Sequence, residues 1–262
     1  MTLATAPNSL TSLVGSAATP SPGDGTPESG PPERHLRLLN GFQLTADRAV
    51  VPLPLSAQRV LALLALSGRP LVRFHVAAVL WPDTPEDNAR ADLRTALWRL
   101  HRPGASIVST EGSRLGLRPE VTVDLHALLT LGRRLVSEAD GADGDVDLTL
   151  LQGDLLPDWY DDWVIMERER VRQLRLHALE ILCDRLTAAG RFGQAIEAGL
   201  AAVATEPLRE SAHLLLIKAY LAEGNRYEAV RQYRRHRDML RDELGVAPSE
   251  QVEQLMKGLV VG

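Results

Sequence analysis

The sequence predicts a mainly α-helical chain with small β-sheets, folded in two parts behind a polar N-terminal segment. Three observations predict it. Over residues 33–124, short extended runs are followed by three helical patterns and then a hairpin signal. Positive charge gathers in that same stretch, and beyond Asp158 almost every segment has helical spacing and contains an internal repeat.

A chain of 262 residues with 45% hydrophobic and 24% charged side chains suits a globular protein of two ordinary domains, each with its own core. Met1–Pro32 is rich in Ser, Thr, Pro and Gly and reads as a disordered tail, because it holds too little apolar surface to offset its ordering entropy. No apolar run approaches the ~18 residues a membrane helix needs. With no basic start before Arg34 and a single cysteine, Cys183, the chain is expected to be cytoplasmic and without an internal disulfide.

The net charge of −5 conceals an asymmetry. Residues 33–118 carry twelve Arg against seven acids, whereas residues 119–262 carry seventeen bases against twenty-five acids. A basic segment on an acidic chain points to a polyanionic partner for that segment alone. The only lysines, Lys218 and Lys257, do not stand in the Gly-Lys-Ser/Thr context of a phosphate-binding loop, which excludes that class of nucleotide site.

In order along the chain, His35–Leu39, Phe42–Leu44 and Ala49–Val51 suit a small antiparallel sheet ended by Pro52 and Pro54. Ser56 is the expected cap of a first helix with a Val60, Leu61, Leu63, Leu64 stripe, stopped by Gly68 and Pro70. A second helix is expected over Arg73–Leu80, and a third over Glu86–Arg102 with Ala89, Leu93, Ala96, Leu97 and Leu100 inward. Ile107–Thr110 and Ser113–Leu117 flank Glu111-Gly112 as a hairpin, with Val121–Val123 expected to complete it. Strands, three helices and a basic hairpin make a winged helix-turn-helix of the response-regulator output type, assigned to residues 33–124.

Residues 125–262 are assigned to a tetratricopeptide-like all-α helical-repeat domain. It opens with a helix over Leu125–Ser137 and an acidic, Gly-rich linker over Ala139–Asp145. Ala189-Gly-Arg-Phe-Gly-Gln-Ala195 then recurs as Glu223-Gly-Asn-Arg-Tyr-Glu-Ala229, thirty-four positions later, the period of a helical hairpin repeat. Flanking helices, expected over Glu167–Leu186 and Pro248–Leu259, would bury its outer faces.

The chemistry belongs to the third helix. Opposite its core stripe stand Arg90, Ala91, Arg94, Thr95, Trp98 and Arg102, three and four apart on one face. Arg can donate two hydrogen bonds to guanine in a major groove, and Thr or Ala can meet a thymine methyl. Arg90, Arg94, Thr95 and Trp98 are therefore the candidate base readers. Arg69, Arg73, Arg99, Arg102, Arg114 and Arg118 are the candidates for phosphate or wing contacts. The alternative, a solvated face with pairs such as Arg90 to Glu86 or Asp87, stays open at this point. The cluster Asp158-Trp-Tyr-Asp-Asp-Trp163 reads as a helix start capped by Asp161 and Asp162, not as paired catalytic carboxylates. The seven His show no metal-ligand spacing and Cys183 sits at core spacing, so no cofactor, no metal and no enzymatic activity are expected.

The run Leu80-Trp-Pro-Asp-Thr-Pro-Glu-Asp-Asn-Ala-Arg-Ala-Asp-Leu-Arg-Thr-Ala-Leu-Trp-Arg-Leu100 resembles the helix-turn-helix core of the actinomycete antibiotic regulatory proteins (SARP family). Gly153-Asp-Leu-Leu-Pro157, Trp163, Glu167-Arg-Glu-Arg170 and Leu244-Gly-Val-Ala-Pro-Ser249 resemble that family's bacterial transcriptional activation domain. The resemblance spans about Leu36–Leu259. It implies an activator of a secondary-metabolite gene cluster that binds direct repeats near the promoter −35 element, two protomers side by side on double-stranded DNA. It also implies recruitment of RNA polymerase holoenzyme through its sigma factor, with Asp83, Glu86 and Asp87 in the acidic turn as the contact. With no phosphate-binding loop and an end at Gly262, the chain is expected to be a small-type member or a truncation of a larger one. An adaptor whose winged part binds protein is the reading from another class, and the salt dependence of DNA binding separates the two.

Overall fold

A computed structural model describes residues 33–101, 107–137 and 146–259. The tail over 1–32, the linker over 139–145 and Arg102 lie outside the described residues. The architecture is mainly helical with two small sheets: a winged helix-turn-helix followed by stacked helical hairpins. Strands β1 (Arg34–Arg37), β2 (Gln43–Ala46) and β3 (Ala49–Val50) form the expected antiparallel set, with Leu36 opposite Leu44. Then come α1 (Leu55–Ser67), a two-residue strand β4 (Leu71–Val72), α2 (Arg73–Leu80) and α3 (Glu86–Leu100). The hairpin β5 (Val108–Glu111) and β6 (Arg114–Leu117) leads to β7 (Val121–Val123) and α4 (Asp124–Ser137).

Two local expectations change. Strand β7 does not complete the hairpin; it runs parallel to β1, with Leu36 opposite Val123, and closes the N-terminal sheet in the order β3-β2-β1-β7. Its alternation explains this, because Val121 and Val123 are both buried on the face that Leu36 shares. The third strand of the wing is β4, with Leu71 opposite Leu115. Helix α1 starts one residue before Ser56 and has no side-chain cap. Pro54, whose ring presets φ at −68°, precedes it, and its carbonyl accepts from Ala57 and Gln58.

Helices α5 (Asp162–Ala188), α6 (Phe192–Thr205), α7 (Glu210–Glu223) and α8 (Arg226–Leu244) pack in sequence, and the short α9 (Glu250–Met256) covers the end. The repeated heptapeptide marks the two hairpin turns. Gly190 (φ 73°) and Gly224 (φ 90°) take left-handed turns where a Cβ is costly, and Ala195 and Ala229 are fully buried where the following helices meet their neighbours. One apolar core runs unbroken from Leu36 through α1–α4 to Ala219, and a second, including Ile217, Tyr220, Tyr233 and Met256, closes the C-terminal hairpin. Among the described residues no helix is long and apolar enough to cross a membrane.

The winged part and the helical part meet through backbone. Asp124 accepts hydrogen bonds from Leu38 N (2.9 Å), Leu39 N (3.0 Å) and Leu125 N (2.7 Å), so one carboxylate ends β1 and starts α4. Downstream of a 3-10 turn (Leu148–Leu151), Leu39 bridges Leu155, Leu156 N donates to Leu38 O (2.9 Å) and Asn40 N donates to Asp154 O (2.8 Å). Helix α5 holds this strap from behind. Arg168 donates to the carbonyls of Leu155 (2.8 Å), Leu156 and Trp159 (2.7 Å), and the buried Arg175 donates to Gly153 O and Asp154 Oδ1 (3.0 Å). Gly153 sits at φ 93°, and a Cβ there would stand 2.6 Å from Asn40 Nδ2. Asp161 precedes α5 without capping it. Its carboxylate pairs with Arg59 of α1, while Trp159 stacks on Phe42 (6.0 Å) and meets Trp163 edge-on (6.3 Å).

The helical part also buries two histidines. His213 and His236 are fully buried with rings stacked 3.9 Å apart. His213 Nε2 faces Pro207 O and its Nδ1 faces Gln232 Nε2, each at 2.8 Å, so Nε2 carries the hydrogen and Nδ1 accepts. His236 Nε2 lies 3.7 Å from Glu210, whose carboxylate also accepts from Ser249 N (2.8 Å). Burial, helped by the neighbouring charge of Arg235 and opposed by Glu210, holds His213 down to about 4, and burial lowers His236 as well. The unfolded chain takes up protons at the ordinary 6.5 and the folded chain resists until about 4. Stability is therefore complete above the ordinary value and falls as pH drops through that window, by up to about 1.4 kcal/mol per unit for each histidine. Urea unfolding across this range is expected to show the slope, and His213→Gln to flatten it. An unchanged slope in the variant contradicts the assignment.

Candidate nucleic-acid interface

Helix α3 is presented by packing on one side only. Ala89, Leu93, Ala96, Leu97 and Leu100 are buried against the winged core, and Arg90, Arg94, Thr95, Trp98 and Arg99 are exposed on the rest of its surface. The turn before it is closed by Trp81 N to Ala77 O (3.0 Å) and Thr84 N to Trp81 O (3.2 Å). Helix α2 is fixed to the wing: Arg73 N donates to Ser113 O (2.8 Å), and Val72 pairs with Arg114 across β4 and β6.

The candidate base readers share this face and differ in freedom. Arg90 forms an ion pair with Glu86 one turn back, and its guanidinium carbon stands 5.9 Å from the centroid of the Phe74 ring. The Thr95 hydroxyl donates to Ala91 O (3.1 Å), leaving its oxygen only as an acceptor for anything outside. Trp98 is 64% exposed, a large apolar surface for a helix face otherwise charged.

The phosphate candidates divide into two groups. Arg73 and Arg114 are neighbours through β4, and the residue after Arg73 is Phe74, which touches Arg90, so they continue the α3 face. Arg69 and Arg118 instead line a separate cleft with Gly68, Pro70 and His126, at the opposite end of β6 from Arg114. There His126 Nε2 bonds to Ala65 O (2.8 Å). Sequence spacing alone did not separate the groups, because both are exposed Arg near the wing.

Asp83, Glu86 and Asp87 are all exposed, but Glu86 is engaged by Arg90 while also lying in the first turn of α3. Phe74 was not anticipated from sequence. Its signal is an aromatic off the buried Val76, Ala77, Leu80 stripe of α2, and it is 53% exposed. Elsewhere, Cys183 is buried with its thiol pushed up to about 12, which leaves it unreactive at neutral pH. The Asp158–Trp163 aromatics serve the joint between the two parts rather than any reaction.

Known proteins resemble this chain in both parts. The family model of the bacterial transcriptional activator domain matches residues 123–259. The regulatory protein AfsR of Streptomyces coelicolor is 29% identical over 211 residues, covering 76% of this chain and 21% of its own length. AfsR of Streptomyces griseus is 29% identical over 212 residues, with 76% and 21% covered. The chain thus spans about a fifth of the length of these curated relatives. The solved structure of Mycobacterium tuberculosis EmbR in complex with a low-affinity phosphopeptide superposes with a TM-score of 0.59 at 24% identity, over 87% of this chain and 65% of that one, and shows the shared fold. More than half the chain falls within the family match: it belongs to the bacterial transcriptional activator domain family and is a transcription regulator of the SARP type.

Proposed function

We propose that this regulator activates transcription by binding promoter DNA through α3 and the wing. The observation that carries the reading is the continuous exposed surface from Arg114 and Arg73 through Arg90 to Arg94 and Trp98, on a helix whose other side is wholly buried. Helix α3 enters the major groove, Arg90, Arg94, Thr95 and Trp98 meet base edges, and Arg73, Arg99 and Arg114 meet phosphates. Arg69 and Arg118 serve the flanking backbone from the other end of β6. Two protomers lie side by side on a direct repeat of about 10–11 bp spacing near the −35 element. The regulated genes form a secondary-metabolite cluster, and the protein works in the cytoplasm at the nucleoid.

Residues 33–124 are the reader and residues 125–262 the activation domain in this proposal. Polymerase holoenzyme is recruited through its sigma factor by the acidic turn at Asp83 and Asp87. Acids beside DNA repel phosphate, so the turn is best used along the duplex against a basic partner. Glu86 is better employed in holding Arg90.

Arg94→Ala is expected to cost about 1–3 kcal/mol of binding and relax specificity at one base pair, whereas Arg114→Ala weakens all sequences alike and reduces the salt slope by about one. Gel shifts on a selected duplex and single-base variants read both, and equal sequence-blind losses reject the roles. For activation, Asp83→Ala with Asp87→Ala is expected to keep promoter affinity within a few fold and sharply lower transcription by purified polymerase. Full activation by that double variant rejects the turn as the contact.

A further inference from the structure

We infer that Phe74 is a positioning residue that sets the guanidinium of Arg90 for base reading; this rests on the DNA-binding reading above. Helix α2 buries Val76, Ala77 and Leu80, and Phe74 lies off that stripe, 53% exposed at the start of the helix. An aromatic left open to water needs a compensating role. Its ring lies 5.9 Å from the Arg90 guanidinium carbon, within reach of the attraction between a cation and an aromatic face. Glu86 grips the same guanidinium at Nη2 from the preceding turn of α3.

A long, half-exposed arginine is thereby held by two elements, a carboxylate on its own helix and an aromatic on the neighbouring one. A free arginine loses most of its rotamer freedom on docking to a base; one already held has lost much of it beforehand. The guanidinium has five N–H donors, so the pair with Glu86 leaves enough for a two-pronged contact to guanine. The anchor is itself anchored, because Phe74 follows Arg73, whose N–H is bonded to Ser113 O of the wing. The reading arginine is in this way registered to the wing as well as to its own helix.

The test uses the full chain, the duplex that it selects from a random-sequence library, and a scrambled duplex of equal length. Phe74→Leu keeps apolar bulk and removes the aromatic face, and Phe74→Tyr restores it. Phe74→Leu is expected to weaken the selected duplex about three- to tenfold with no change on the scrambled one, and Phe74→Tyr to bind as the parent does. In the free protein, the Arg90 Nε–H resonance is expected to move when the ring is lost and to return with Tyr. Arg90→Ala combined with Phe74→Leu is expected to be no weaker than Arg90→Ala alone. Additive losses, or equal losses on both duplexes, overturn the positioning role and make Phe74 a DNA contact in its own right. A parent chain that binds neither duplex, with the resonance shift intact, overturns the DNA reading itself and the role with it.

Discussion

The structure depends on the saturation of three consecutive backbone units, Leu38–Asn40. Buried amides and carbonyls must find partners, and here they find them in residues far away along the chain. Asp124 takes the N–H groups of Leu38 and Leu39, and the strap at Asp154–Leu156 takes the Leu38 carbonyl and the Asn40 N–H. Arg168 and Arg175 then bind the other side of that strap to α5. Because these are backbone contacts in a fixed register, they transmit orientation rather than mere proximity. The face of α3 is thereby held relative to the stacked helical hairpins, and the single core running from Leu36 to Ala219 is the packing consequence.

That constraint explains how the chain uses arginine. On α3 and the wing, Arg94, Arg99 and Arg114 are exposed. In the helical part, Arg168 bridges three carbonyls, Arg172 joins Glu169 and Glu206, and Arg209 joins the buried Glu180. The planar, permanently charged fork suits both jobs, which lysine cannot match. A chain with twenty-seven arginines and two lysines is thus consistent with one residue type serving recognition in one part and mortar in the other.

Much of this was legible in the sequence. The apolar spacing of α1–α3, punctuated by Gly68, Pro70, Pro82 and Pro85, placed the helices within a residue or two, and the thirty-four-residue echo located the hairpin turns at Gly190 and Gly224. What escaped was tertiary choice. Alternation marks Val121–Val123 as a strand but does not name β1 as its neighbour, because the pairing partner lies most of a domain away. Local rules make Asp161 a helix cap, yet a stronger partner, Arg59, approaches from α1. Phe74 carries no periodic signal, and its meaning emerges only when α2 and α3 cross. The split of the wing arginines likewise needed the β4–β6 register, which puts Arg114 beside Val72 and leaves Arg118 at the far end of the strand.

Native-state hydrogen exchange tests the central claim most directly, that the strap makes reader and helical repeat one cooperative unit. If the account holds, the amides of Leu38, Asn40 and Leu156 exchange through the same opening as Leu176 and Leu179 in the core of α5. They should then share one free energy and one dependence on denaturant. If instead the amides of β1 and α3 open at lower free energy and shallower denaturant dependence while α5 stays protected, the two parts are independent and the account is contradicted.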